Sequence, residues 1–256
     1  MSNYAPPTLG RERNILLVSL LALAIAAWAV VSWQASQADM RMGGLTMGMG
    51  APLFLAIWIA MMVAMMFPAA APMVLMFAAI SKGKQRQAQP FVPTWVFLLA
   101  YLLVWTLFGV LAYIAAAGIE LLAPQAMGVM EIAPRIGGAM LILAGLYQLS
   151  PLKNTCLSKC RSPLSFIMSS WRDGYAGAFR MGLEHGTYCL GCCWLLFVIL
   201  FPLGVMNVAA MAVLALLIFA EKSLPIGPRV AGAAAAALIA YGLIVIVVPG
   251  ALPTAM

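Results

Sequence analysis

Five cysteines and a single histidine carry most of the chemistry open to this chain, and all six lie between Tyr147 and Trp194. Cys156 and Cys160 stand four apart in NTCLSKCRSP, and Cys189, Cys192 and Cys193 follow in EHGTYCLGCCW. On a helix, His185, Cys189, Cys192 and Cys193 fall at i, i+4, i+7 and i+8, along one face. Thiolates so placed are soft ligands that select Cu(I), zinc or an iron–sulfur cluster over hard cations. A zinc site would draw four of them into a tetrahedron. Thiolates also need positive surroundings, which Lys153, Lys159, Arg161 and Arg180 are spaced to supply. The competing reading is packing: a cysteine in an apolar helix is a small hydrophobe, and His185 by itself is as readily a packing residue as a ligand. Glu184 is costly inside lipid. It sits at the interface, pairs with Arg180 or lines a polar cavity, and the sequence leaves the three open.

Thioethers form a second set of soft donors. In WIAMMVAMMFPAAAPMVLMF, Met61, Met62, Met65 and Met66 recur at helical spacing, followed by Met73 and Met76, while Pro68 and Pro72 free backbone carbonyls. Thioethers suit Cu(I) and, being uncharged, cost less in lipid than carboxylates. Methionine also fills irregular packing beside proline kinks. Met40, Met42, Met47 and Met49 lie in the glycine-rich loop DMRMGGLTMGMG, where the sequence offers them no core to fill.

The elements that must position these donors follow from composition. Of 256 residues, 65% are hydrophobic and 8% charged, with a mean hydropathy of +1.03; soluble chains carry about 25% charged residues. The expectation is an all-α polytopic transmembrane bundle of about seven spans, over 15–33, 52–80, 93–118, 136–149, 181–203, 208–220 and 230–248. Residues 1–14 form an N-terminal segment, and 15–256 form one transmembrane domain with a cysteine-bearing connection at 151–180. Within that connection, residues 164–171 read as a short interfacial helix before the Asp173-Gly174 turn. Ser36-Gln37-Ala38 faintly resembles a signal-peptidase site, but the first apolar run exceeds a signal core of about 7–15 residues and reads as an anchor.

Cytoplasmic loops are enriched in Lys and Arg. Seven spans with the N-terminus in the cytoplasm leave only Arg41 and Arg135 outside, and place the cysteine connection inside. In that reducing compartment clustered cysteines bind metal or do redox work rather than form structural disulfides. The net charge of +7 is thereby a topology signal and not a nucleic-acid footprint. There is no Walker loop, GxSxG elbow, HExxH or dinucleotide fingerprint, so nothing indicates an enzyme or an ATP-driven pump. Gly182 and Gly186 form a small-xxx-small pair that admits a neighbouring helix.

The segments WIAMMVAMMFPAAAP, YQLSPLKNTCLSKCRSP, RMGLEHGTYCLGCCW and GVMNVAAMAVLALLIFAEK together resemble a bacterial family described as predicted metal-binding integral membrane proteins, a domain of unknown function. The resemblance runs from about Leu53 to Lys222 and is most specific in the cysteine blocks. It implies Cys156, Cys160, Cys189, Cys192 and Cys193 as metal-binding residues and supplies no reaction.

Together these observations predict an inner-membrane protein that binds Cu(I), or secondly zinc, and handles copper across the bilayer. Outer-loop methionines would capture the ion, the second span would pass it along, and the cysteines, with His185, would hold it for a donor or acceptor protein. The lipid bilayer is the other partner, self-association is left open, and no nucleic acid is expected. Two other classes stand beside this reading: a membrane thiol–disulfide oxidoreductase, and a scaffold subunit stapled by structural zinc.

Overall fold

The computed structural model describes residues 7–37, 44–87, 93–122 and 129–253, without the side chains of 7–9, 86 and 129–131. Met40, Arg41 and Met42 lie outside the described residues. Every described element is helical: α1 (Pro7–Gln37), α2 (Ala51–Arg86), α3 (Thr94–Leu122), α4 (Val129–Gln148), α5 (Pro151–Arg161), α6 (Pro163–Ser170), α7 (Gly174–Val198), α8 (Leu200–Leu203), α9 (Val208–Ser223) and α10 (Gly227–Val247), closed by a 3-10 turn at Pro249–Ala251.

Five helical stretches are long and apolar enough to cross a membrane: those of α1, α2, α3, α7 with α8, and α10. A sixth arises if α4 and α5, bent by 62° at their junction, count as one broken span. The expected span at 208–220 is α9, whose 16 residues rise only ~24 Å against a hydrocarbon core of ~30 Å. By length and composition the described helices thus give five or six spans, where the sequence predicted about seven. The polar connection predicted at 151–180 is itself helical, as α5, α6 and the start of α7. Ser150 accepts from the Lys153 amide at 3.1 Å and Pro151 opens α5. That combination starts a helix whatever its polarity.

The principal packing pairs are α10 on α4, α3 on α7 and α1 on α2. Gly182 and Gly186 make the α3–α7 approach possible. A Cβ on Gly182 would collide with the Phe97 carbonyl, and one on Gly186 would stand 2.9 Å from Val104. α1 buries Leu20, Ala24, Ala27 and Val31, one helical stripe, in the core. It also repairs a defect in α2. Pro68 has no N–H, which leaves the Ala64 carbonyl without its helical donor; Trp28 Nε1 donates to that carbonyl at 3.1 Å. An unmet carbonyl there would cost ~1–3 kcal/mol.

Polar clamps mark the two ends of the bundle. At one end, Lys82 pairs with Glu12 at 2.5 Å and Lys84 with Asp173 at 3.2 Å. Asp173 also accepts from Trp171 Nε1 at 2.8 Å. The Trp171 indole first, and Lys84 second, hold the Asp173 carboxyl below the usual carboxylate range. At the other end, Glu120 accepts from the Thr46 amide and hydroxyl, both at 2.6 Å. This ties the described part of the methionine loop to the end of α3. Met49 is buried in the core and Met47 packs against it. The premise that the loop methionines have no core to fill therefore fails for these two.

Candidate metal centre

α5 lies along α7, and its i, i+4 spacing turns Cys156 and Cys160 toward that helix. Cys160, Cys189, Cys192 and Cys193 are all buried. Cys160, on the buried face of α5, neighbours Cys189 and Cys192 on α7, and Cys189 neighbours Cys192 and Cys193. Cys192 Sγ is 3.2 Å from Cys193 Sγ and donates to the Cys189 carbonyl at 3.1 Å. Two helices thus place four buried cysteines in one neighbourhood, with the sulfurs of Cys192 and Cys193 in contact. Cys156 stands apart: it is half-buried, and its Sγ fills the space over Gly191, 2.7 Å from where a Cβ would sit. All five cysteines are free thiols.

Sulfurs on a tetrahedral ion with bonds of ~2.3 Å stand ~3.7 Å apart. The closest pair here is at thiol–thiol hydrogen-bond distance instead. Among the described residues no three His, Cys, Asp or Glu side chains form a ready cage. For that pair the gap is about half an ångström, which small rotations about the Cα–Cβ bonds can supply. The donor set suits a soft ion.

The positive partner of this cluster is Lys222, at the end of α9. Its Nζ donates to Cys189 Sγ at 2.8 Å, and the Tyr101 hydroxyl lies 3.1 Å from the same sulfur. An ammonium only donates, so the sulfur accepts. A buried ammonium keeps its charge only beside an opposite one. An ammonium and a thiolate are the charge states this contact favours, and the Tyr101 hydroxyl is a second partner of the sulfur. The charge count agrees. The buried ionic side chains Lys153, Glu221 and Lys222 carry one more positive charge than negative, and a Cys189 thiolate balances it.

The cations expected from sequence do other work. Lys153 pairs with Glu221 at 2.6 Å, both side chains 1% exposed. It also donates to Gln148, whose amide donates to Glu221 at 3.0 Å. Arg161 donates to the backbone carbonyls of Glu221 and Leu224, the latter at 2.9 Å, fastening α5 to the α9–α10 turn. Arg180 forms a partly exposed pair with Glu184 at 3.3 Å, which selects one of the three readings of that carboxylate. Lys159 is exposed.

A family model described as PpoB2, copper chaperone, matches residues 55–245, from early α2 to the end of α10. The chain belongs to this copper chaperone family. No curated protein and no solved structure matches it. The match takes in the cysteines, His185, Tyr101, Lys222 and the α2 methionines. It extends beyond the Leu53-to-Lys222 region of the resemblance at its C-terminal end, and it leaves out α1 and the methionine loop.

In this copper chaperone family member His185 is buried between rings, its centroid 5.8 Å from Phe97 and 5.6 Å from Tyr101, nearly parallel to both. Its Nδ1 is buried with no hydrogen-bond partner among the described residues. The ring lies within electrostatic reach of Cys189, one helical turn away. Met61, Met62, Met65 and Met66 are fully buried, as two adjacent i, i+4 ladders on α2. They share one continuous core with the cysteines but sit on a different helix, which meets α7 through Trp58 and Phe197 at 6.3 Å between ring centroids.

Proposed function

We propose that this chain holds Cu(I) on thiolates drawn from Cys160, Cys189, Cys192 and Cys193 and passes it to an acceptor protein. The observation that carries the reading is the gathering of four buried cysteines from two helices beside a buried ammonium, Lys222. Charge supports a monovalent ion. With Cys189 already a thiolate beside Lys222, Cu(I) adds one positive charge and one further thiol gives up its proton, so the buried cluster stays neutral. A closed zinc site on all four thiolates would leave a net negative charge in the core, which is costly. Membership of a copper chaperone family points the same way, and zinc has no support of its own.

The setting we propose is a multi-pass protein of the bacterial inner membrane. Its seven spans would count α4 with α5 as one broken span and α9 as a short one, with the N-terminus in the cytoplasm. Five helices long and apolar enough to cross support this. So do the ion pairs Lys82–Glu12 and Lys84–Asp173, which gather the start of α1, the end of α2 and the start of α7 at one basic end. The α2 methionine ladders extend the proposal as uncharged soft donors in the same core, a path for Cu(I) toward the thiols.

Titration of the purified protein with Cu(I), in competition with bathocuproine disulfonate, tests the reading. Wild-type protein is expected to retain a single tightly held Cu(I). Joint replacement Cys189→Ser and Cys192→Ser is expected to weaken binding by at least about 100-fold, since ligands matter more than the outer partners worth 10–100-fold. Unchanged affinity in the double variant would refute it.

A further inference from the structure

The five cysteines are not equivalent. Four are enclosed, whereas Cys156 is half-buried and sits on the one helix of this region whose outer face is polar. α5 exposes Asn154, Thr155, Ser158 and Lys159 while burying Lys153, Leu157 and Cys160. Its height in the bundle is fixed by the packing of the Cys156 sulfur over Gly191 of α7 and by the hydrogen bond between Cys189, two residues before it, and Tyr101 of α3. At that same height α3 exposes Leu99 and Leu103, 56% and 40% accessible, as a lipid-facing helix does. A row of amide, hydroxyl and ammonium groups facing lipid at this level would be costly. The α5 side of the bundle therefore faces water or protein.

Cys156 lies at the edge of that polar face. Its thiol fits against α7 because residue 191 is glycine, the residue next to Cys192. The Tyr147 phenol donates to the Gly191 carbonyl, the residue over which the Cys156 sulfur packs.

We propose that Cys156 is the exchange ligand, through which Cu(I) passes between the enclosed thiols and the thiols of the acceptor protein; this rests on the copper reading above. In the inward half, a Cu–S bond to Cys156 forms as one Cu–S bond to an enclosed cysteine breaks. The proton leaving Cys156 is matched by the proton taken up by the released thiolate. In the outward half, one acceptor sulfur bonds to copper as the remaining enclosed Cu–S bond breaks, and a second acceptor sulfur then displaces Cys156. The proton lost by each acceptor thiol is taken up by the cysteine it releases. Copper remains Cu(I) throughout, and no oxidant or reductant is needed.

The test uses the full-length protein loaded with Cu(I) and two variants. Cys156→Ser removes the thiol. Gly191→Ala adds a Cβ where the Cys156 sulfur now sits, and a flexible thiol can swing aside without disturbing the backbone. Both are expected to keep the wild-type Cu(I) stoichiometry and to slow transfer to bathocuproine disulfonate by about tenfold or more. In metal-free wild-type protein, a membrane-impermeant maleimide is expected to modify Cys156 well before the other four. Unchanged transfer rates in both variants would overturn the proposal, as would loss of bound copper on removing Cys156 alone, or alkylation of Cys156 no faster than Cys192. Failure of the wild-type protein to bind Cu(I) would instead overturn the underlying copper reading.

Discussion

Lys153→Met is expected to destabilise the bundle by about 3–5 kcal/mol, because it leaves the Glu221 carboxylate buried without its cation. The wild-type pair is 2.6 Å apart with both side chains 1% exposed, and Gln148 bridges it. The same residues join the α4–α5 bend to the end of α9, so the lesion is also expected to loosen the seat of Lys222. Adding Glu221→Gln removes the stranded charge and keeps a partner for the Gln148 amide. The double variant is expected to recover most of the lost stability, as paired removal of buried charges commonly does. Thermal unfolding of the single and double variants in the same detergent checks this. If the double variant is no more stable than Lys153→Met, the ion pair is not what holds α5 to α9.

Lys222→Met is the second large effect. It removes the ammonium 2.8 Å from Cys189 Sγ, the charge that neutralises Cu(I) held by two thiolates. Truncating one member of a buried hydrogen-bonded charge pair costs about 2–5 kcal/mol. Cu(I) affinity is therefore expected to fall by roughly 30-fold to several thousand-fold at 1.4 kcal/mol per decade. A zinc site on only two of the thiolates, unlike the four-thiolate closure set aside above, would be neutral without Lys222, so zinc bound in that mode is expected to lose less affinity than Cu(I) does. Competition titrations with both metals measure this. Equal losses for both would assign Lys222 a role in packing rather than in charge balance.

The cysteine chemistry was legible in the sequence because it depends on residue type and short spacing, both of which are local. The α6 helix was legible for the same reason, as an apolar run between Pro163 and the Asp173-Gly174 turn. α5 was misread because NTCLSKCR is polar, and polarity between apolar runs reads as loop. The Ser150-Pro151 start signal outweighs it. Lys222 was missed for a different reason. A charge at the end of an apolar run counts as a topology signal, whereas its burial depends on Cys189, 33 positions away in sequence. The Glu221-Lys222 doublet was the visible hint, since each member finds a different buried partner, Lys153 and Cys189. Tyr101 left no trace at all: nothing local marks one aromatic on α3 as the hydrogen-bond partner of a cysteine sulfur. The shortness of α9 was legible in the apolar run 208–220 itself, which the helix extends only through the buried Glu221 and Lys222 to Ser223.

The central claim is that enclosed thiolates on α5 and α7 bind Cu(I). X-ray absorption at the copper edge of the Cu(I)-loaded wild-type protein tests it most directly. A Cu(I) edge with a first shell of sulfur alone, at about 2.3 Å, is expected. A first shell of nitrogen or oxygen, or a protein that leaves the titration without copper, would contradict it.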